Sequence, residues 1–135
     1  MNLTYDYLHT EELRGTTHAD YLVSIDANFR IQDGESLVYE EPSFPVVELA
    51  RSLLSWLNDP DRDGFEFNSM SFEEVGSVTV LRTPSGWKFG SVFAAGSSSA
   101  PADWPEVEQC CRDFISRIAR DLVALGIDPG EVIGS

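Results

Sequence analysis

The sequence predicts an α+β domain in two layers: a mostly antiparallel β-sheet, its elements in the order β-β-α-β-β-β-α, covered on one face by two amphipathic helices. Three observations predict it. In residues 20–32 (DYLVSIDANFRIQ) every second side chain from Tyr21 to Ile31 is apolar and those from Ser24 to Gln32 between them are polar, the pattern of a strand with one buried and one wet face. Two turn signals, Asp33-Gly34 and Pro84-Ser85-Gly86, each lie between apolar runs and fold them back as antiparallel hairpins. Residues 46–57 and 104–125 instead carry apolar side chains at every third and fourth position, which gathers them on one side of a helix.

In chain order, Tyr5-Asp6-Tyr7-Leu8-His9 reads as a short strand, and Thr10 to Gly15 as one helical turn closed by glycine. Residues 1–19 carry no stronger pattern. The long strand follows. Tyr21, Val23, Ile25, Ala27, Phe29 and Ile31 share its buried side. A slip of one residue would turn the polar set inward, so its register is firm. Ser36–Glu40 returns from the first turn. Pro42 and Pro45 close that hairpin, and Pro45 suits the first turn of a helix. Val46, Val47, Leu49, Ala50, Leu53, Leu54, Trp56 and Leu57 form its apolar stripe, leaving Glu48, Arg51, Ser52 and Ser55 outside. Asn58, Pro60 and Gly64 stop it.

Phe65-Glu66-Phe67-Asn68 reads as a short strand and Ser71–Glu74 as a turn. Gly76–Thr83, rich in β-branched residues, reads as another strand. Trp87–Phe93 returns with Trp87, Phe89 and Phe93 on one face and Lys88 and Val92 on the other. Residues 94–102 (AAGSSSAPA) form a flexible loop. Asp103 caps the last helix, with Glu106 at capping-box spacing. Val107, Cys110, Cys111, Phe114, Ile115, Ile118, Ala119, Leu122 and Leu125 form its broad apolar stripe. Gly126 ends it, and residues 127–135 are a tail. The core should bury Leu53, Trp56, Phe114 and Ile118, with Ile25 and Phe29 facing the helices.

The 135 residues suit one domain, and 42% hydrophobic with 11% aromatic residues is enough for a core. No apolar run approaches the ~20 residues of a membrane span. Residues 1–7 lack a secretory h-region. A cytoplasmic protein is therefore expected, with the adjacent Cys110 and Cys111 as reduced thiols. Charge is uneven: 23 acidic residues face 9 basic ones, net −14, and residues 32–81 hold 11 acidic against 2 basic. Such a surface repels phosphate backbones, which excludes nucleic acid, and it attracts a basic protein.

Two clusters invite a function. Glu40, Glu41, Glu66, Glu73 and Glu74 lie at element ends beside Tyr39, Phe44, Phe65, Phe67 and Phe72. Aromatic anchors ringed by carboxylates suit a binding patch for a basic partner. Asp59-Pro60-Asp61-Arg62-Asp63-Gly64 matches the first half of a calcium loop, with Asp59, Asp61 and Asp63 as ligands. Met70 stands where the bidentate glutamate belongs, so no calcium affinity tighter than about millimolar is expected. His9 and His18, with Glu11, Glu12 and Asp20 nearby, match no ligand spacing. There is no nucleophile elbow, P-loop or dinucleotide fingerprint, and no cofactor is expected. The leading reading is a non-enzymatic acidic binding module, an immunity-like inhibitor of a basic protein. The alternatives are a small-pocket hydrolase or isomerase working through Glu and His groups, or a weak calcium binder.

Two stretches also carry a resemblance: Phe44-Pro45-Val46-Val47-Glu48-Leu49-Ala50 through Trp56-Leu57, and Phe65–Glu74 through Gly86-Trp87-Lys88-Phe89-Gly90-Ser91-Val92-Phe93. Over residues 20–125 the chain resembles a family of small, acidic, functionally uncharacterised bacterial domains. That resemblance implies a stand-alone intracellular protein and transfers no catalytic residue. In size and acidity the chain is also similar to immunity proteins that neutralise toxins. The Gly86–Phe93 hairpin is similar to the closing strands of cone-shaped NTF2-like domains, but those begin with helices and do not end in a long one.

Overall fold

The described residues form β1 (Asn2–His9), α1 (His18–Ser24), β2 (Asp26–Asp33), β3 (Ser36–Phe44), α2 (Val46–Leu57), β4 (Phe65–Glu66), β5 (Thr79–Thr83), β6 (Gly86–Gly90), α3 (Trp104–Ala124) and α4 (Pro129–Val132), with a 3₁₀ turn at Val92–Ala94. The computed structural model of the protein describes residues 2–10, 17–94 and 96–134. The helical turn expected from Thr10 to Gly15 lies, beyond Thr10, outside them, as do Glu11 and Glu12. The class is α+β with antiparallel pairing throughout.

The alternation over residues 20–32 predicts one long strand, but the fold divides it. Residues 18–24 are helical, and only from Asp26 does the strand run. The cause is a capping box. The Thr17 hydroxyl accepts the Asp20 N–H at 3.2 Å, and the Asp20 carboxylate accepts the Thr17 N–H at 3.0 Å. Two helix-terminal donors are thereby satisfied, and Leu22, apolar between Tyr21 and Val23, breaks the alternation at this end. Past this point the expected register holds, with Ile25, Ala27, Phe29 and Ile31 all fully buried.

The strands form two three-stranded sheets, β1-β2-β3 and β4-β5-β6, rather than one. β1 carries a bulge between Asp6 and His9, where Tyr7 adopts φ +53° and stands exposed. β3 runs past Pro42 to Phe44, longer than Ser36–Glu40. It is an edge strand, where a missing N–H costs no ladder bond. Its outer side meets the Val92–Ala94 turn instead of another strand. In the second sheet, residues 98–102 are not free. Trp87 and Ala102 exchange N–H···O bonds of 2.8 and 2.9 Å, and Ser98 bridges Gly90, so this segment runs along β6.

α2 matches its expected range and packs on α3. Leu53, Trp56, Phe114 and Ile118 are buried. Phe29 stacks on Phe44 at 4.6 Å and meets Phe114 edge-on at 5.9 Å, joining the first sheet to α3. Asp103 caps α3 through the Glu106 N–H. At the far end Gly126, φ +78°, closes a Schellman pair: Gly126 N–H to Val123 O and Ile127 N–H to Leu122 O. Residues 127–134 do not trail off. Asp128 caps α4, and Val132 and Ile133 are buried. Arg51 of α2 donates to the Val132 carbonyl at 2.9 Å. Among the described residues no helix is long and apolar enough to cross a membrane.

Candidate functional site

By its spacing Glu48 belongs with the outward side of α2, yet it is only 5% exposed. The loop from Phe67 to Gly76 folds over it. The Glu48 carboxylate accepts the Ser69 hydroxyl at 2.5 Å and the Met70 N–H at 3.0 Å, and the Ser69 oxygen in turn accepts the Ser71 N–H. The base of the loop is tied by Phe67 N–H to Val78 O and Gly76 N–H to Phe67 O. A buried carboxylate is tolerated when its lone pairs are this well used. The result is a fixed loop that delivers Phe72 onto Phe44 at 5.6 Å and Phe93 at 5.9 Å.

The far side of that contact is the 3₁₀ turn. The Val92 N–H donates to Gly76 O at 2.9 Å. Gly76 has φ +97°, and a Cβ there would lie 2.8 Å from a Val92 methyl, so glycine is required for the close approach. Phe93 stacks against Tyr39 at 6.4 Å and remains 48% exposed. The Tyr39 hydroxyl donates to the Glu41 carboxylate at 3.3 Å. Burial, then the Glu41 charge beside it, pushes the Tyr39 phenol well above its ordinary range and holds it neutral. Val75 and Val92 are exposed alongside, and Glu73 and Glu74 stand exposed between Phe72 and Val75. Aromatic and aliphatic surface thus shares its segments with three carboxylates, Glu41 on the Tyr39 hydroxyl and Glu73 and Glu74 in the loop next to Phe72.

Of the residues singled out from the sequence, the fold brings Glu41, Phe72, Glu73 and Glu74 to this patch. Glu40 is engaged elsewhere. Arg30, its cross-strand neighbour, donates both to its carboxylate and to that of Asp6. Glu66 is exposed on β4 between buried Phe65 and Phe67. Phe44, Phe65 and Phe67 are core rings, not surface anchors. Phe93 is hidden from sequence reasoning because its spacing puts it on one strand face with Trp87 and Phe89. The strand ends at Gly90, and the Ser91 hydroxyl accepts the Phe93 N–H, turning the chain outward. Ser91 two residues before Phe93 is the one signal for it.

The Asp59–Gly64 loop is folded by its own side chains. Asp59 accepts the Asp61 N–H and Asp63 the Gly64 N–H, both at 2.9 Å. The Trp56 indole donates to the Asp63 carbonyl at 2.7 Å. Arg62 lies 3.8 Å over the Trp104 ring. Among the described residues no group of three or more His, Cys, Asp and Glu side chains could hold a metal ion. His9 ends β1, and the His18 side chain lies outside the described residues. Burial pushes the Cys110 thiol up to about 11 and the buried Cys111 higher still, so neither has the thiolate character of a nucleophile. A groove of about 380 Å³ beside α2 is lined by Leu22, Glu48, Arg51, Ser52, Ser55 and Met70, but its carboxylate is already committed to Ser69 and Met70.

Residues 1–124 match the profile of a domain of unknown function, DUF7878, and the chain belongs to that family. Neither the curated proteins nor the solved structures compared with it gave a match.

Proposed function

We propose that this DUF7878 member is a non-enzymatic binding module that captures a basic protein, as an immunity-like inhibitor does. The observation that carries the reading is Phe93, half exposed on a fixed support, with Phe72, Val75 and Val92 beside it and Glu41, Glu73 and Glu74 around. A soluble chain exposes such an apolar patch at a cost, and a carboxylate rim selects a cationic surface to cover it. The net charge of −14 acts at longer range. It raises the encounter rate with a basic protein and is screened over about 8 Å at physiological salt. Two free thiols are in keeping with a reducing, cytoplasmic compartment.

The test compares the wild type with a Glu41→Gln/Glu73→Gln/Glu74→Gln variant as bait in lysate of the source cell, at low and high salt. A basic protein held at low salt by the wild type and released by the variant supports the reading. With that protein purified, the triple variant should associate several-fold more slowly, with a flatter salt dependence. Identical protein sets on both baits, or none that is basic, would overturn it.

A further inference from the structure

The chain holds a filled version of the arrangement seen at Tyr39 and Glu41. Tyr5 of β1 donates its hydroxyl to the Asp121 carboxylate of α3. Arg117, one helical turn before Asp121, lays its guanidinium 4.1 Å over the Tyr5 ring. Ring, carboxylate and guanidinium make one unit. Arg62 repeats the stacking on Trp104. At the patch, the ring and the carboxylate are present: Tyr39 donates to Glu41, and Phe93 stacks on Tyr39 with 48% of its surface open. Among the described residues the guanidinium–ring contacts are those of Arg62 and Arg117, and none lies over Phe93 or Tyr39. Phe72 and Gly76 both touch the 3₁₀ turn, so the intervening Glu73 and Glu74 are held within a short reach of Phe93.

We propose that Phe93 is a shelf for an arginine side chain of the basic partner, its guanidinium flat on the ring and its N–H groups directed to Glu41, Glu73 and Glu74. This rests on the basic-partner reading above and adds a choice of cation. A lysine would satisfy the charge. It would not satisfy the ring as well, because an ammonium is compact and strongly hydrated, whereas a guanidinium is planar, weakly hydrated and able to stack while its edge donates to carboxylates. The short acidic run around a half-exposed phenyl ring offers both surfaces at once.

The experiment uses hexa-arginine and hexa-lysine peptides, both N-acetylated and C-amidated, titrated calorimetrically into the full chain at low salt. The expected result is about three- to fivefold tighter binding of the arginine peptide, the range of an exposed cation–π contact. Phe93→Leu, a half-exposed apolar exchange, should bring that preference down to about one while both peptides still bind. Glu73→Gln/Glu74→Gln should weaken both. Equal affinities on the wild type, or a preference that survives Phe93→Leu, would overturn the arginine shelf and leave the basic-partner reading standing. If neither peptide binds, both readings fall.

Discussion

Replacing Glu48 by alanine should loosen the loop that supports the patch, and the cost can be worked out from its contacts. The carboxylate is 5% exposed and accepts two donors, the Ser69 hydroxyl and the Met70 N–H. Ser69 is itself buried, so its hydroxyl cannot simply turn to water. A buried donor left without its acceptor costs ~1–3 kcal/mol. The Met70 amide, next to an exposed side chain, is more easily rehydrated and adds about 1 kcal/mol. The expected loss is therefore ~2–4 kcal/mol. For 135 residues, at about 2.1 cal/mol/K of unfolding entropy per residue, this lowers Tm by ~7–14 °C. Guanidinium denaturation followed by tryptophan fluorescence measures the loss. Hydrogen exchange of amides 70–76 should accelerate in the same variant, since opening becomes local. Ser69→Ala on top of Glu48→Ala should cost little more, because the two residues act through one bond. A loss below about 0.5 kcal/mol with unchanged exchange would refute the claim that Glu48 organises the loop.

Other consequences are independent of that loop. Phe114→Ala should cost ~3–5 kcal/mol by calorimetry, since the ring is buried against Tyr5 and Phe29; under ~1 kcal/mol would mean α3 does not pack on the first sheet. The phenols of Tyr5 and Tyr39 both titrate above their ordinary range, first from burial and then from hydrogen-bonded carboxylates. Their contribution is therefore complete below the unfolded value of about 10 and lost as pH rises past it toward the folded values. Denaturation midpoints should fall above about pH 10, less steeply in Tyr5→Phe. Calcium titrated into the Asp59–Gly64 loop should show no site tighter than about millimolar by calorimetry; a micromolar site abolished by Asp61→Asn would reverse that. Cys110 and Cys111 should react with a disulfide reagent at pH 8 far more slowly in the native than in the unfolded chain.

Much of the fold was legible because local rules and tertiary packing agreed. α2 follows from its stripe, α3 from Asp103 and Gly126, and the hairpins from Gly34 and Gly86. Where two local rules competed, spacing alone could not decide. Tyr21 and Val23 continue the strand's apolar side, whereas the Thr17–Asp20 box starts a helix, and the hydrogen bonds won. The end of the chain hid its helix in Asp128-Pro129, a cap followed by a first-turn proline. The site was half legible. Glu41, Phe72, Glu73 and Glu74 stand out by composition, but their gathering depends on Glu48, a charge whose burial no periodicity reveals. Glu40 is set apart by Arg30 across the strand pair, a matter of register. Phe93 depends on a strand ending three residues early. Each of these is a long-range fact, set by which segments meet.

The claim at the centre of this account is that one patch receives a basic ligand. Amide chemical-shift mapping of the full chain with the hexa-arginine peptide at low salt tests it most directly. Shifts should concentrate at residues 39–41, 72–76 and 91–94, and fade as salt is added. Shifts centred on the Asp59–Gly64 loop or the groove beside α2, or spread evenly over the acidic surface, would contradict it.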